Sequence, residues 1–230
     1  MRFLQFSMLI GYLFISPTVF SQNVDQSQLG AWYMYMWSAE DTAKELGFQG
    51  DIQHRNWETT GDLEQLLIRG GLTWRPQGSA VKYTLGYAHI TSGRFGPSSD
   101  TSEENRIYQE ALFGQTLGDK LFLTHRFRLE QRWVQNQDYR SRIRYFLGAN
   151  YPLNQDNLSE GAIYLAFYNE LFVNFELDGR PEQDYFDRNR IYAALGYSVR
   201  DNLRLQAGYM WQENRFFGKG QLQFNLIQSF

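Results

Sequence analysis

Leu203-Arg204-Leu205-Gln206-Ala207-Gly208-Tyr209-Met210-Trp211-Gln212 is the stretch whose reading decides the fold. Leu203, Leu205, Ala207, Tyr209 and Trp211 share one parity, and Arg204, Gln206, Gly208 and Gln212 share the other. Successive side chains of an extended strand point to opposite faces, so this segment is a strand with one apolar and one polar face. A barrel with an apolar exterior and a polar interior gives both faces a suitable environment.

The same alternation runs outward in both directions. Leu222, Phe224, Leu226 and Phe230 oppose Gln221, Gln223, Asn225 and Ser229 at the end of the chain. A last strand that stops at a terminal Phe230 resembles the C-terminal signal of outer-membrane barrels, which their assembly machinery reads. Upstream, Ile191, Ala193, Leu195, Tyr197 and Val199 oppose Arg188, Arg190, Tyr192, Ala194 and Gly196. Ile143, Tyr145, Leu147 and Ala149 oppose Arg140, Arg142, Arg144 and Asn150. Leu123, Phe127, Leu129 and Trp133 oppose Thr124, Arg126, Arg128, Glu130 and Arg132, with His125 and Gln131 as polar exceptions on the outer face. Earlier strands are expected at Lys44 to Arg55, Leu63 to Arg75, Ala80 to Thr91 and Glu103 to Leu117. Gly161 to Phe175 reads less cleanly, because apolar residues occupy both parities.

The start of the chain points to export. Met1 and Arg2 precede a short apolar run through Phe20, and Val19 and Ser21 fit a signal-peptidase site. Residues 1–21 are therefore expected to be a signal peptide cleaved after Ser21, leaving 22–230 as one outer-membrane barrel. The chain has no cysteine, which excludes a lipoprotein anchor, disulfides and thiolate–metal sites. Aromatic residues make up 17% of the chain while mean hydropathy is −0.51, a combination that suits strands whose lipid-facing residues are only every second one. The net charge of −3 and the interleaving of arginines with acids give no reason to expect a nucleic-acid partner.

Connection lengths give the topology. Short connections at Arg75 to Ser79, Gly118 to Asp119 and Arg200 to Asn202 alternate with longer polar ones at Ser92 to Ser102, Val134 to Asp138, Glu176 to Tyr185 and Gln212 to Gly218. Membrane barrels have short periplasmic turns and long external loops, so the C-terminal end is expected in the periplasm, with Tyr151 to Ser159 a longer inner connection. The expected fold is an all-β, antiparallel up-and-down transmembrane barrel of about ten to twelve strands. Leu29 to Trp37 is an eleventh strand-like run. Because single-chain bacterial barrels normally have an even count, it is expected to split, to lie in the lumen, or to be balanced by a later strand that is really two. A soluble sandwich would instead bury the aromatic face, but strands of ten or more residues exceed the ~5–6 usual there. Trp74, Trp133, Tyr151 and Trp211 near strand ends suit aromatic girdles.

Five segments carry a resemblance to a family. They are Glu104-Asn105-Arg106-Ile107-Tyr108-Gln109, His125-Arg126-Phe127-Arg128-Leu129-Glu130-Gln131-Arg132, Tyr139-Arg140-Ser141-Arg142-Ile143-Arg144-Tyr145, Tyr168-Asn169-Glu170-Leu171-Phe172-Val173-Asn174 and the run from Phe186 to Tyr197. In order and spacing the chain resembles the bacterial domain of unknown function 2490, whose members look like outer-membrane barrels. The resemblance implies fold and location and carries over no catalytic residue.

The polar parity collects Arg106, Glu110, Arg126, Arg128, Glu130, Arg132, Arg140, Arg142, Arg144, Glu170, Arg188 and Arg190. At the lipid midplane each arginine would cost ~2–4 kcal/mol, so these side chains are expected in the lumen, in a network with Asn and Tyr. The first expectation for function is a structural network that fills a narrow or plugged barrel. The alternative is a path or binding site for a small anionic solute, because cationic rings line anion pores. An outer-membrane hydrolase is a third class. His54, His89 and His125 form no Ser-His-acid spacing, and Glu103 with Glu104, or Asp184 with Asp187, read as solvated loop-edge charge. No catalytic residue, metal site or cofactor is expected. Expected partners are outer-membrane lipid and, during insertion, the barrel-assembly machinery.

Overall fold

The structure, a computed structural model, describes residues 28–41, 43, 45–175 and 185–230. The expected signal peptide lies outside the described residues. Eleven strands follow one another: β1 Gly30–Asp41, β2 Leu46–Asn56, β3 Leu63–Trp74, β4 Val81–Gly93, β5 Thr101–Leu117, β6 Leu121–Val134, β7 Arg140–Pro152, β8 Ile163–Phe175, β9 Phe186–Arg200, β10 Leu203–Asn214 and β11 Gly218–Ser229. Each pairs with its chain neighbours, and β1 pairs with β11 to close the barrel.

Ten seams are antiparallel, as expected for an up-and-down order. The eleventh is parallel, from Gly30 beside Gln221 to Ser38 beside Ser229. An odd number of alternating strands leaves the first and last pointing the same way, so closure requires this one parallel seam. The run at 29–37 therefore neither splits nor enters the lumen. It is a wall strand, and the expectation of an even count does not hold. Beyond the seam ladder, the Phe230 amide donates to the Ser38 carbonyl at 2.8 Å, and Tyr35 Oη donates to Gln228 Oε1 at 2.9 Å.

Phe230 lies at one rim, with the connections 42–45, 75–80, 118–120, 153–162 and 201–202; Gly30 lies at the other. At the Phe230 rim Lys120 reaches Asp156 at 2.6 Å, joining two connections, and this carboxylate holds the lysine ammonium above its ordinary value. The strands run further than their alternation implies. The connection expected over Gln212 to Gly218 is only 215–217, because β10 and β11 continue pairing out to Glu213 and Gly218.

The exterior is apolar round the whole barrel. Phe48, Leu72, Leu85, Ile107, Phe127, Ile143, Phe167, Ile191, Leu205 and Phe224 all stand exposed. Trp74, Tyr83, Tyr151 and Tyr197 ring the Phe230 rim, while Trp133, Tyr185 and Trp211 mark the other. Polar residues among them pair with one another: Gln109 and Gln131 exchange two amide hydrogen bonds, and Asn169 Nδ2 donates to Asn189 Oδ1. His125 stacks on Phe113 at 4.7 Å and shares a hydrogen bond with Tyr145 Oη, which explains its tolerance on this face.

The inner face explains the mixed parity of β8. Tyr164, Ala166 and Phe172 are buried inside while Ile163, Phe167 and Leu171 face out. Trp32, Tyr164, Ala166, Tyr192, Ala194 and Met210 form an internal cluster. Glycine makes room for its rings: a Cβ on Gly196 would lie 2.2 Å from the Tyr164 ring, and one on Gly86 would lie 2.2 Å from Tyr108.

Candidate functional site

The polar parity of β2 to β9 points inward and meets in the middle of the barrel. Neighbouring strands place inward charged residues side by side, with Arg128 opposite both Glu110 on β5 and Arg144 on β7, and Glu130 opposite Arg142. Long guanidinium side chains can then reach acids on the same or the next strand.

Glu130, only 1% exposed, is the hub. It accepts Arg142 Nε at 3.0 Å and Nη2 at 2.6 Å on one oxygen and Arg144 Nη1 at 2.6 Å on the other. Arg106 and Arg128 approach it at 3.8 and 4.0 Å. Glu170 accepts Arg144 Nη2 and Arg126 Nη2, each at 2.6 Å, with Arg190 at 3.8 Å. Glu110 accepts Arg128 Nε at 2.7 Å and, from β2 three strands away, the Gln49 amide at 2.8 Å. Glu104 receives both Arg106 and Arg132 through two nitrogens each. Planar forks on planar carboxylates are the geometry arginine favours, and sharing lets one acid orient several cations.

The structure thus brings together eleven of the twelve lumen residues expected from sequence. Arg140 is the exception: it shares the inward parity but lies at the first position of β7, exposed at the rim, with no carboxylate in salt-bridge range among the described residues. Two acids expected to be solvated are inside. Glu104 is 6% exposed, and Asp187 bonds Arg142 Nη1 at 2.5 Å and Arg188 Nη2 at 3.0 Å. Asp184, its expected companion, lies outside the described residues, while Glu103 is exposed.

Sequence reasoning also missed the β2–β3 side of the network. Arg69 Nε donates to Asp51 at 2.5 Å, and Arg55 donates to Gln53 and Gln65 while its guanidinium lies 3.9 Å from the Trp32 ring centre. Glu64 accepts Trp32 Nε1 at 2.9 Å. Asp51, Gln53 and Arg55 follow the period-2 pattern and were recoverable from it. Glu64 and Asp187 were not, because each lies at a register shift that turns an off-parity side chain inward. Phe172 packs among the cations, its ring centre 4.5 Å from Arg144 and 4.6 Å from Arg190.

Among the described residues ten of these arginines, 55, 69, 106, 126, 128, 132, 142, 144, 188 and 190, face seven carboxylates, 51, 64, 104, 110, 130, 170 and 187. Two cavities lie along the network. On the Gly30 side is a cavity of about 50 Å³ between arginines; on the Phe230 side is one of about 360 Å³, walled by Met34, Met36, Phe146 and Ile227 beneath Arg126 and Arg144. Tyrosines and amides line its flank: Tyr168 Oη donates to Gln223 Oε1 at 2.8 Å, and Asn225 Nδ2 to Tyr192 Oη at 3.2 Å. No group of three or more His, Asp or Glu residues suited to a metal ion occurs among the described residues.

These features define a class, a closed eleven-strand β-barrel with an apolar exterior and a lumen crossed by an arginine–carboxylate network. The chain belongs to the DUF2490 family, described as a protein of unknown function, whose family model matches residues 29–223, from β1 into β11. No curated protein and no solved structure matches the chain.

Proposed function

We propose that the protein is a bacterial outer-membrane barrel whose lumen is held shut by its ion-pair network, so that its role is structural rather than that of an open pore. The observation that carries this reading is the sharing of Glu130 and Glu170 by arginines from several strands in the middle of the lumen. Hydrated charges lining an open path gain little from fixed partners, whereas these side chains are buried and held. The apolar exterior supports a lipid environment, since soluble monomers rarely expose contiguous apolar patches beyond a few hundred Å². The two aromatic rims and the mutual pairing of outward amides support it further.

In this reading the export signal is removed after Ser21, and the Phe230 rim faces the periplasm. The exposed terminal Phe230 is the feature the assembly machinery recognises. The reading gives the chain no catalytic role and no cofactor. Cell fractionation tests the location: the mature protein should sediment with the outer membrane and show heat-modifiable mobility in detergent gels. Recovery as a soluble periplasmic monomer would reject the proposal.

A further inference from the structure

The small cavity on the Gly30 side has an unusual wall. Eight arginines line its space of about 50 Å³, among them Arg55, Arg142, Arg144, Arg188 and Arg190, together with Gln65, Leu67 and Phe172 and no carboxylate. That space exceeds the ~10–15 Å³ a cavity needs before a polar group the size of water can enter it, so a small ligand can reach between the guanidinium groups.

The charges around it are incompletely compensated. Arg55 is buried, and its direct acceptors are the amide oxygens of Gln53 and Gln65, with Glu64 acting on it only at longer range. Arg190 is buried, donates Nε to Gln212 Oε1 at 2.8 Å, and has Glu170 no nearer than 3.8 Å. Glu170 is itself bonded by Arg126 and Arg144. A buried cation without a directly bonded carboxylate is costly, and among the described residues the network holds ten arginines against seven carboxylates. Arg188, with 29% of its side chain exposed, is the wall arginine with most access to solvent.

We infer that this cavity is a binding site for one small tetrahedral oxyanion, free phosphate or sulfate, held by Arg55, Arg188 and Arg190 and entering past Arg188. Guanidinium forks match oxyanion edges in the same way that they match carboxylates. The bound ion supplies the negative charge that the wall lacks and locks the upper layer of the network. The inference rests on the closed-lumen reading, but the two fail separately. Current through the barrel tests closure, and anion binding to refolded protein in detergent tests the site.

The experiment follows the unfolding temperature of the refolded barrel in a zwitterionic detergent against sodium phosphate or sulfate, with sodium chloride at matched ionic strength as the reference. The expected result is a saturable rise with phosphate, roughly 5–10 °C at about a hundredfold excess over Kd. Equilibrium dialysis of radiolabelled phosphate should give one ion per barrel, displaced by sulfate. Arg55→Gln and Arg188→Gln should each weaken binding about tenfold or more. Because Arg188 is partly exposed, its variant retains a readout if the other folds poorly. A rise no larger than chloride gives, binding that survives both substitutions, or binding only to phospholipid vesicles and not to the free ion would overturn the assignment.

Discussion

Replacing Glu130 by Gln removes the one carboxylate that Arg142 and Arg144 both bond and that Arg106 and Arg128 approach within 4.0 Å. Glutamine keeps one carbonyl oxygen, so it can still accept from Arg142 or from Arg144. Its amide nitrogen then faces the donors of the other. Arg142 retains Asp187, Arg144 retains Glu170, Arg106 retains Glu104 and Arg128 retains Glu110, so no cation is stripped of every partner. Breaking one partner of a buried pair costs about 3–5 kcal/mol, and these remaining contacts place the variant near about 3 kcal/mol. For a barrel of this size that corresponds to roughly 6–12 °C in unfolding temperature. The assay is the thermal transition of folded to unfolded gel mobility in detergent, with Glu103→Gln, an exposed acid one residue from Glu104, as the control. Sodium chloride should change the loss little, because enclosed pairs are screened far less than exposed ones. A shift of under about 2 °C, or one matched by Glu103→Gln, would refute the idea that Glu130 holds the lumen together.

Three further outcomes follow from other parts of the barrel. Gly196→Val should displace the Tyr164 ring that lies against this glycine, lowering stability by about 1–3 kcal/mol in a melting experiment, while a variant that melts like the wild type would reject the close packing. Deleting Phe230 should slow assembly, measured as a smaller outer-membrane fraction and accumulation in the periplasm; unchanged levels would count against its role as the recognised residue. The nine strands between them put Gln28 and Asn202 at opposite rims, and the chain contains no cysteine. A membrane-impermeant maleimide should therefore label Gln28→Cys in intact cells and Asn202→Cys only after the outer membrane is opened, and the reverse order would invert the topology.

Much of this barrel is legible in one sequence because its two faces differ at every second residue. Arg204, Gln206 and Gln212 on β10, or Arg142 and Arg144 on β7, declare the inner face, and a one-residue slip would turn them outward. What period 2 does not encode is closure. Whether Gly30 to Asp41 completes the wall depends on its meeting β11 in parallel, a tertiary fact with no local signature. Aromatic residues also mislead, since Tyr164, Tyr168 and Tyr192 line the lumen with the same chemistry that Tyr83 and Tyr197 present outside. The candidate site was legible where arginines and acids keep parity and was lost at Glu64 and Asp187, where register shifts reverse it. Glu104 was obscured for another reason: β5 begins at Thr101, so an acid that looks like a loop edge is already inside the wall.

The central claim is that the lumen is closed, and electrical current through single barrels tests it most directly. Purified protein refolded and inserted into a planar bilayer should produce no steady conductance if, as proposed, the network around Glu130 and Glu170 closes the lumen. A steady, anion-selective current through the wild-type barrel would contradict the account and show that these arginines line water.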